Sequence, residues 1–331
     1  VIWNIPIEPY EERYTEQWMR WWPTAFHKLG VPFTNVNGVS LTDCVEQGSV
    51  LDAHGTNYWK ARQMARIITK LYRKEIKDGD TIFFHDLWFP GLEMLAYIRD
   101  ITGVNFLIKG IFHAGTWDFS DFTSKAGMTP WAKHIEKGWL HLVDEIFVAT
   151  KFHKRLILTQ RNAGEPQFDP DKIKVTGIPF VANEVKRPQA KENIVVFPHR
   201  LDMEKQPILF DRLAELLCDK YPDWEFVKSK NVCNSKEEYF QLLGKSKIAV
   251  SFATQETFGY AMMEAMANGC WPVVPNRLSY ATMTIYEGHR WDSFSGILMA
   301  VARRINNWTP FNNDSDLAEY DTDLIVKRMK F

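Results

Sequence analysis

The 331-residue chain is poor in cysteine: Cys44, Cys218, Cys233 and Cys270 are scattered, with no Cys-x-x-Cys pair. That excludes a zinc ribbon or a disulfide framework and fits reduced thiols in a cytoplasmic setting. Continuous apolar runs of about 18 residues are missing, so no membrane span is expected. The opening Val-Ile-Trp-Asn-Ile-Pro-Ile lacks the basic start and long apolar core of a signal peptide and reads as a strand, so the sequons at Asn307 and Asn313 are expected to be unused. A surplus of one charge is also absent: 40 Lys and Arg face 41 Asp and Glu, for a net charge of −1. This excludes a protein that coats nucleic acid by bulk charge but permits a local basic groove. No repeat of fixed period and no low-complexity tract is present.

What is there is enough apolar residue, 45%, for two cores, and the length suits two domains. Strand patterns fall at 2–5, 32–36, 81–85, 106–111, 145–149 and 174–176. Helical patterns lie between them at 15–29, 57–76, 91–102 and 128–143. The alternation predicts an α/β fold with parallel, doubly wound sheets. Residues 177–192, with prolines at 179 and 188, a glycine and several charges, read as a linker. The pattern then restarts with strands at 194–197, 225–228, 248–252 and 271–274 and helices from 207 to 220 and 236 to 244. The expected division is 1–180, 181–315 and a C-terminal segment 316–331 that crosses back to the first domain.

The most informative stretch is 251–275, Ser-Phe-Ala-Thr-Gln-Glu-Thr-Phe-Gly-Tyr-Ala-Met-Met-Glu-Ala-Met-Ala-Asn-Gly-Cys-Trp-Pro-Val-Val-Pro. A strand, a polar turn containing Gly259 and a helix start together expose backbone N–H groups and the positive end of the helix dipole. Phe258, Ala261, Met262, Ala265 and Met266 share one helix face and read as core. Glu264 sits among small and apolar neighbours, where an acid needs a partner. A plain βαβ unit with solvated glutamates is the competing reading. A second block, Asn193-Ile-Val-Val-Phe-Pro-His-Arg-Leu-Asp-Met-Glu-Lys-Gln-Pro207, ends a buried strand in a turn carrying Arg200 and Lys205.

Glu256-x7-Glu264 followed by Glu-Ala-Met-Ala-x-Gly-x-x-Pro-Val-Val resembles the signature of retaining nucleotide-sugar glycosyltransferases of the GT-B fold, glycosyltransferase family 4 in particular. The resemblance implies two Rossmann-like domains facing a central cleft. It implies that Glu256 lies by the donor sugar, that Glu264 binds the ribose hydroxyls, and that Thr257, Phe258 and Gly259 cradle the diphosphate. Arg200 and Lys205 then hold the phosphates, since fixed cations in a dry site stabilise a departing nucleoside diphosphate. The donor is a nucleoside-diphosphate sugar, UDP-linked by preference; hexose and pentose stay open. No further cofactor and no metal is implied: the Asp-x-Asp strings at 169–171, 314–316 and 321–323 lie beside no strand and read as solvated acids. The family's N-terminal glycine-rich loop is missing; Pro6-Ile-Glu-Pro-Tyr-Glu-Glu-Arg-Tyr-Thr-Glu-Gln-Trp18 follows the first strand instead.

In the first half, His85 and Asp86 follow one strand and His113 another, at strand ends where open α/β sheets place ligands. In similar enzymes a histidine in the place of His113 touches the donor sugar, so His113 joins Glu256, Arg200 and Lys205 as a catalytic candidate. The segment 114–121 reads either as a sugar or base pocket or as an ordinary loop. Residues Lys60 to Lys77 carry seven bases against Glu75, a local +6. A solvated helix face competes there with phosphate contacts to a nucleic-acid acceptor. Nine of the 13 tryptophans precede residue 140 and read as core or as stacking platforms for bases.

The second half, with Asn276-Arg-Leu-Ser-Tyr280, resembles transferases that mannosylate queuosine in transfer RNA. The opening segment looks like phage-type glycosyltransferases, some of which modify hydroxymethylated pyrimidines in DNA. The leading expectation is transfer to 5-hydroxymethylcytosine in DNA, with transfer RNA and polysaccharide as alternatives. A nucleotide-sugar epimerase and a silent sugar-nucleotide binder are the competing classes.

Overall fold

A computed structural model describes residues 1–10, 13–41, 52–113, 115–161 and 168–331, with side chains 160 and 161 excepted. Cys44, Glu11 and Glu12 of the opening segment, and residue 114 at the head of the 114–121 segment lie outside the described residues. The chain forms two compact units. Unit 1 comprises Val1–Ala149, Lys154–Pro179 and Thr322–Phe331; unit 2 comprises Thr150–His153 and Phe180–Asp321.

Unit 1 alternates β1 (Ile2–Ile5), α1 (Tyr14–Lys28), β2 (Phe33–Asn35), α2 (Ala53–Tyr72), β3 (Thr81–Phe84), α3 (Leu92–Thr102), β4 (Leu107–Ile111), α4 (Phe122–Lys125), α5 (Thr129–Leu142), β5 (Glu145–Val148), α6 (Lys151–Arg161) and β6 (Ile173–Val175). Its six strands are all parallel, in the order β2-β1-β3-β4-β5-β6. Unit 2 follows with α7 (Ala182–Val185), β7 (Glu192–Phe197), α8 (Pro207–Leu217), β8 (Glu225–Lys228), α9 (Ser229–Val232), α10 (Lys236–Lys245), β9 (Ser246–Val250), α11 (Tyr260–Ala267), β10 (Trp271–Pro275), β11 (Arg290–Trp291), α12 (Phe294–Asn306) and α13 (Asp314–Leu317). Its sheet is also parallel, in the order β11-β10-β9-β7-β8. α14 (Thr322–Met329) belongs to unit 1, whereas 316–321 stay with unit 2.

The α/β class and the parallel sheets are those the alternation implies. The differences are local. α2 starts at Ala53, four residues before the apolar periodicity, because the Asp52 carboxylate caps it by accepting from the His54 amide at 3.0 Å. α12 was not apparent in the sequence; Ser293 caps it through the Gly296 amide at 3.0 Å. The expected linker already contains α7 and the first residue of β7.

The tryptophans of unit 1 are mostly interior, which removes the stacking-platform reading for them. Trp18, Trp21, Trp22, Ala25 and Phe26 recur at helical spacing and bury one face of α1. The Trp22 ring lies 5.1 Å from Phe83, and Phe331 lies 4.7 Å from Phe83 on another side. Phe83 is fully buried on the central strand β3. Phe83→Ala is expected to destabilise unit 1 by about 3–5 kcal/mol. A shift in the urea midpoint of its unfolding, read by tryptophan fluorescence, checks this.

Candidate functional site

The order β8-β7-β9 places a topological switch point in unit 2: the chain leaves β7 to one side to form β8, then returns on the other to form β9. Loops at the C-ends of two such strands diverge and leave a crevice, the usual ligand position in an open parallel sheet. Here those loops are 198–206 and 251–259, the two segments that carry Arg200, Lys205, Glu256, Thr257, Phe258 and Gly259. Both segments therefore flank the switch point.

Specific bonds then hold them. The Thr254 amide and hydroxyl both donate to the Glu204 carbonyl, at 2.7 and 3.1 Å. The buried Lys205 ammonium donates to the Gln255 carbonyl at 2.6 Å and to the Glu256 carboxylate at 3.2 Å. From the loop after β10, Arg277 donates to the carbonyls of Ala253 and Phe252 at 3.0 and 2.8 Å. Burial lowers the Arg277 pKa from its ordinary value. Arg200 lies at the rim, half exposed, 3.2 Å from Asp202 and 3.3 Å from Glu204. Each of the two expected phosphate cations thus faces carboxylates of these loops, so their charges are largely balanced.

Gly259 closes the second loop. Its φ of +99° is a conformation glycine accepts and other residues resist, and a Cβ there would meet the Tyr280 ring at 3.0 Å. It caps α11, an eight-residue helix with no acid in its first turn, so the positive helix end is not neutralised from within. Tyr280 and Tyr286 are fully buried and cross at right angles with centroids 5.0 Å apart. The Tyr280 hydroxyl is 3.3 Å from the Ser251 hydroxyl.

Glu264 lies on α11 but is not an open ligand. It is buried, and Lys236 donates to one of its oxygens at 2.8 Å and the Tyr239 hydroxyl to the other at 3.0 Å. The partner that an acid at this position needs comes from α10. Burial, then the neighbouring Glu264 charge, pushes the Tyr239 pKa well up, so Tyr239 stays a donor.

Sequence reasoning passed over His199. It lies two residues past the end of β7, is buried, and its Nε2 has no hydrogen-bond partner among the described residues. Burial and then the charges of Lys205 and Arg200 hold it neutral. Its place beside Arg200 at a strand C-end was the available signal.

The other candidates lie in unit 1, at the ends of β3 and β4. His113 Nε2 faces the His85 carbonyl at 2.7 Å and must donate, so Nδ1 accepts from the Tyr14 hydroxyl at 3.2 Å. Burial lowers its pKa, and both ring nitrogens of the neutral imidazole are in use. His85 is buried with Nε2 2.7 Å from Asn4 Oδ1. Asp86 accepts from the Trp88 amide at 2.9 Å and from Lys60 at 3.2 Å. The 114–121 segment behaves as a structural loop where described: buried Glu136 accepts from the Thr116 amide and hydroxyl, and Asp121 caps α4.

Among the described residues no group of three His, Cys, Asp or Glu side chains is arranged for a metal, and no helix is long and apolar enough to cross a membrane. Asp169 and Asp314 serve instead as a turn cap and an ion-pair partner of Lys186.

Two parallel-sheet units of this topology make the GT-B fold, and solved structures agree. Sucrose-phosphate synthase from Thermosynechococcus elongatus superposes with a TM-score of 0.61 at 12% identity, over 99% of this chain and 94% of that one. The lipopolysaccharide outer core galactosyltransferase WaaB gives 0.60 at 13% identity, over 99% and 97%. Pneumococcal O-GlcNAc transferase GtfA, solved with UDP and GlcNAc, gives 0.53 at 12% identity, over 82% of this chain and 59% of its own. Among curated proteins, the tRNA-queuosine alpha-mannosyltransferase of Drosophila melanogaster is 32% identical across 26% of this chain and 29% of its own length. The match thus spans under a third of that relative. No protein-family model matches.

Removing Lys236 strands a buried carboxylate, so Lys236→Met is expected to cost about 3 kcal/mol; Tyr239→Phe should cost about 1–2 kcal/mol. Urea unfolding of unit 2 measures both, and a neutral Lys236→Met would show that the pair does not hold Glu264.

The neutral histidines set a pH dependence. His289, in the same unit, has its pKa lowered to about 4 by burial and by Arg304. The unfolded chain takes up a proton at about pH 6.5 that the folded chain refuses. Stability is therefore full above about pH 6.5 and declines as pH falls toward about 4, with His199 acting in the same direction. His289→Phe is expected to flatten this slope by less than about 1.4 kcal/mol per pH unit, solvent reducing the effect at a part-exposed ring. Thermal unfolding of both proteins across that pH range checks it.

Proposed function

We propose that the chain is a retaining, metal-independent glycosyltransferase that takes a sugar from a nucleoside diphosphate, UDP by preference, and gives it to a hydroxyl acceptor, 5-hydroxymethylcytosine in DNA. The observation that carries the donor half is the Lys205–Glu256 contact, a buried cation beside a carboxylate where the two motif loops meet at the switch point of unit 2. The UDP complex of the GtfA structure supports the choice of donor.

In this reading the diphosphate lies against the N-terminus of α11. It takes over Lys205 and Arg200 as partners, with Thr257, Phe258 and Gly259 supplying main-chain contacts. The near balance of charge within these loops suits this exchange. Arg200, half exposed, gives up Asp202 and Glu204 at little cost. Lys205 keeps its carbonyl contact and turns its charge from Glu256 to a phosphate. Glu256 is then released to accept a sugar hydroxyl. Glu264 receives the ribose hydroxyls on its remaining lone pairs, since each carboxylate oxygen accepts more than one bond. Lys236 and Tyr239 fix its orientation. His113 keeps a sugar contact only by exchanging the Tyr14 hydroxyl for a sugar hydroxyl.

The acceptor oxygen attacks the anomeric carbon on the face that the diphosphate is leaving. The carbon–oxygen bond to phosphate breaks, the bond to the acceptor forms, and the acceptor proton passes to the departing phosphate oxygen. Configuration is retained, and the two cations with the helix end balance the charge of the leaving group.

Transfer to queuosine in transfer RNA is the second reading, favoured by the Drosophila relative. Incubation with UDP- and GDP-sugars, with and without hydroxymethylcytosine DNA or transfer RNA, followed by product mass, separates the two. Sugar altered only in the free nucleotide would mean an epimerase, and binding without turnover a silent binder. Arg200→Ala and Lys205→Ala should each lower turnover by roughly 10²–10³. Undiminished turnover in both variants overturns the donor-site assignment.

A further inference from the structure

Arg62, Arg66 and Lys70 on α2, with Arg73 at its C-cap, stand at i, i+4, i+8 and i+11. That spacing puts them on one side of the helix over about 16 Å. With Asn35 of the edge strand β2 and Glu75 beyond the helix they line an open cavity of about 470 Å³. Lys60, counted in the sequence as part of this basic run, is not in it: it turns inward to Asp86.

The four cations divide into two kinds. Lys70 is fixed 2.7 Å from Glu75 and 4.7 Å above the Trp3 ring, and Arg66 donates to the Asn37 carbonyl. These two hold α2 to the sheet. Arg73 is 68% exposed and comes no nearer than 4.0 Å to Glu75. Arg62 is exposed and makes no hydrogen bond or ion pair among the described residues. Four cations thus face one carboxylate, arranged in a line rather than around a point. A mononucleotide or a free phosphate calls for converging donors. A row of this length, in a chain of net charge −1, suits a polyanion with regularly spaced charges. No aromatic or long apolar side chain lines the cavity, which disfavours a lipid surface as occupant.

We infer that this groove is the docking track for the phosphodiester backbone of a nucleic-acid acceptor, duplex DNA; that identity rests on the function proposed above. The contacts are to phosphates and so carry no sequence preference.

The test is fluorescence anisotropy of the full chain with a labelled DNA duplex over a range of salt, comparing wild type with Arg62→Ala/Arg73→Ala. Losing two phosphate contacts should reduce the slope of log K against log salt by about 1.8, which is roughly 30-fold in affinity at 0.15 M salt for lines that meet at 1 M. UDP-sugar binding by calorimetry should be unchanged. A variant with wild-type slope and affinity overturns the inference. So does equal loss of binding to phosphatidylserine vesicles, which would make the groove a general anion surface. If the variant still glycosylates DNA as wild type does, the groove assignment fails while the function stands. If wild type binds DNA with the expected slope but transfers no sugar to it, the groove stands and the acceptor reading fails.

Discussion

The chemistry of unit 2 depends on one constraint, the reversal of strand order between β7 and β9. A parallel sheet that grows in one direction packs each strand-end loop against the next. At the reversal the chains beyond the two strand ends lead to opposite sides of the sheet, so the flanking loops are joined only by specific bonds. Loops 198–206 and 251–259 occupy that position, and the Thr254–Glu204 and Lys205–Gln255 bonds set how far apart they stand. Both bonds end on backbone carbonyls, and the second takes one of the three ammonium hydrogens of Lys205, leaving the others for Glu256 or a ligand.

Charge is handled by the same loops. A buried ammonium is costly to leave alone, so Lys205 has the Glu256 carboxylate beside it. Such a pairing holds the lysine side chain in place. It also means that an anion entering the site replaces a partner instead of neutralising a bare cation. In the donor-site reading proposed above, affinity for a diphosphate would come from the difference between two pairings plus the helix end, which is smaller than a count of cations suggests. The burial of Glu264 obeys the same rule, with Lys236 and Tyr239 supplied from another helix.

Much of this was legible in the sequence because it is local. The apolar runs gave the strands of both sheets except β11, and the helical pattern at 15–29 gave α1. The turn at Gly259 and the neighbouring glutamate were visible for the same reason. Two regular helices, α6 and α12, were passed over although each is long enough to show a period; the rest of what was missed is non-local or too short to have one. The partners of Glu264 lie 25 and 28 residues earlier in the chain, and nothing in α10 marks them as its ligands. β11, with two residues, has no alternation to detect. Lys60 was counted with the exposed bases because charge alone does not tell which side of a helix a lysine takes; the Asp86 carboxylate decided it.

Unit 1 has a reversal of its own, between β1 and β3, and uses it differently. There α1 lays its aromatic face across the strand ends: Trp18 and Trp22 pack against His85 at 5.6 and 5.2 Å, and Trp18 against His113 at 5.3 Å. The segment between β1 and α1 contains no glycine, so its backbone is less free to make the tight turn that would bare the sheet edge. The two histidines are consequently held by Asn4, by Tyr14 and by the His85 carbonyl, and each has at least one nitrogen committed before any ligand arrives. The same topology thus carries hydrogen-bonded polar loops at the reversal in one unit and a packed aromatic face in the other. The residues that follow the first strand of each sheet, a Pro-His-Arg turn in unit 2 and Pro-Ile-Glu-Pro in unit 1, account for that divergence.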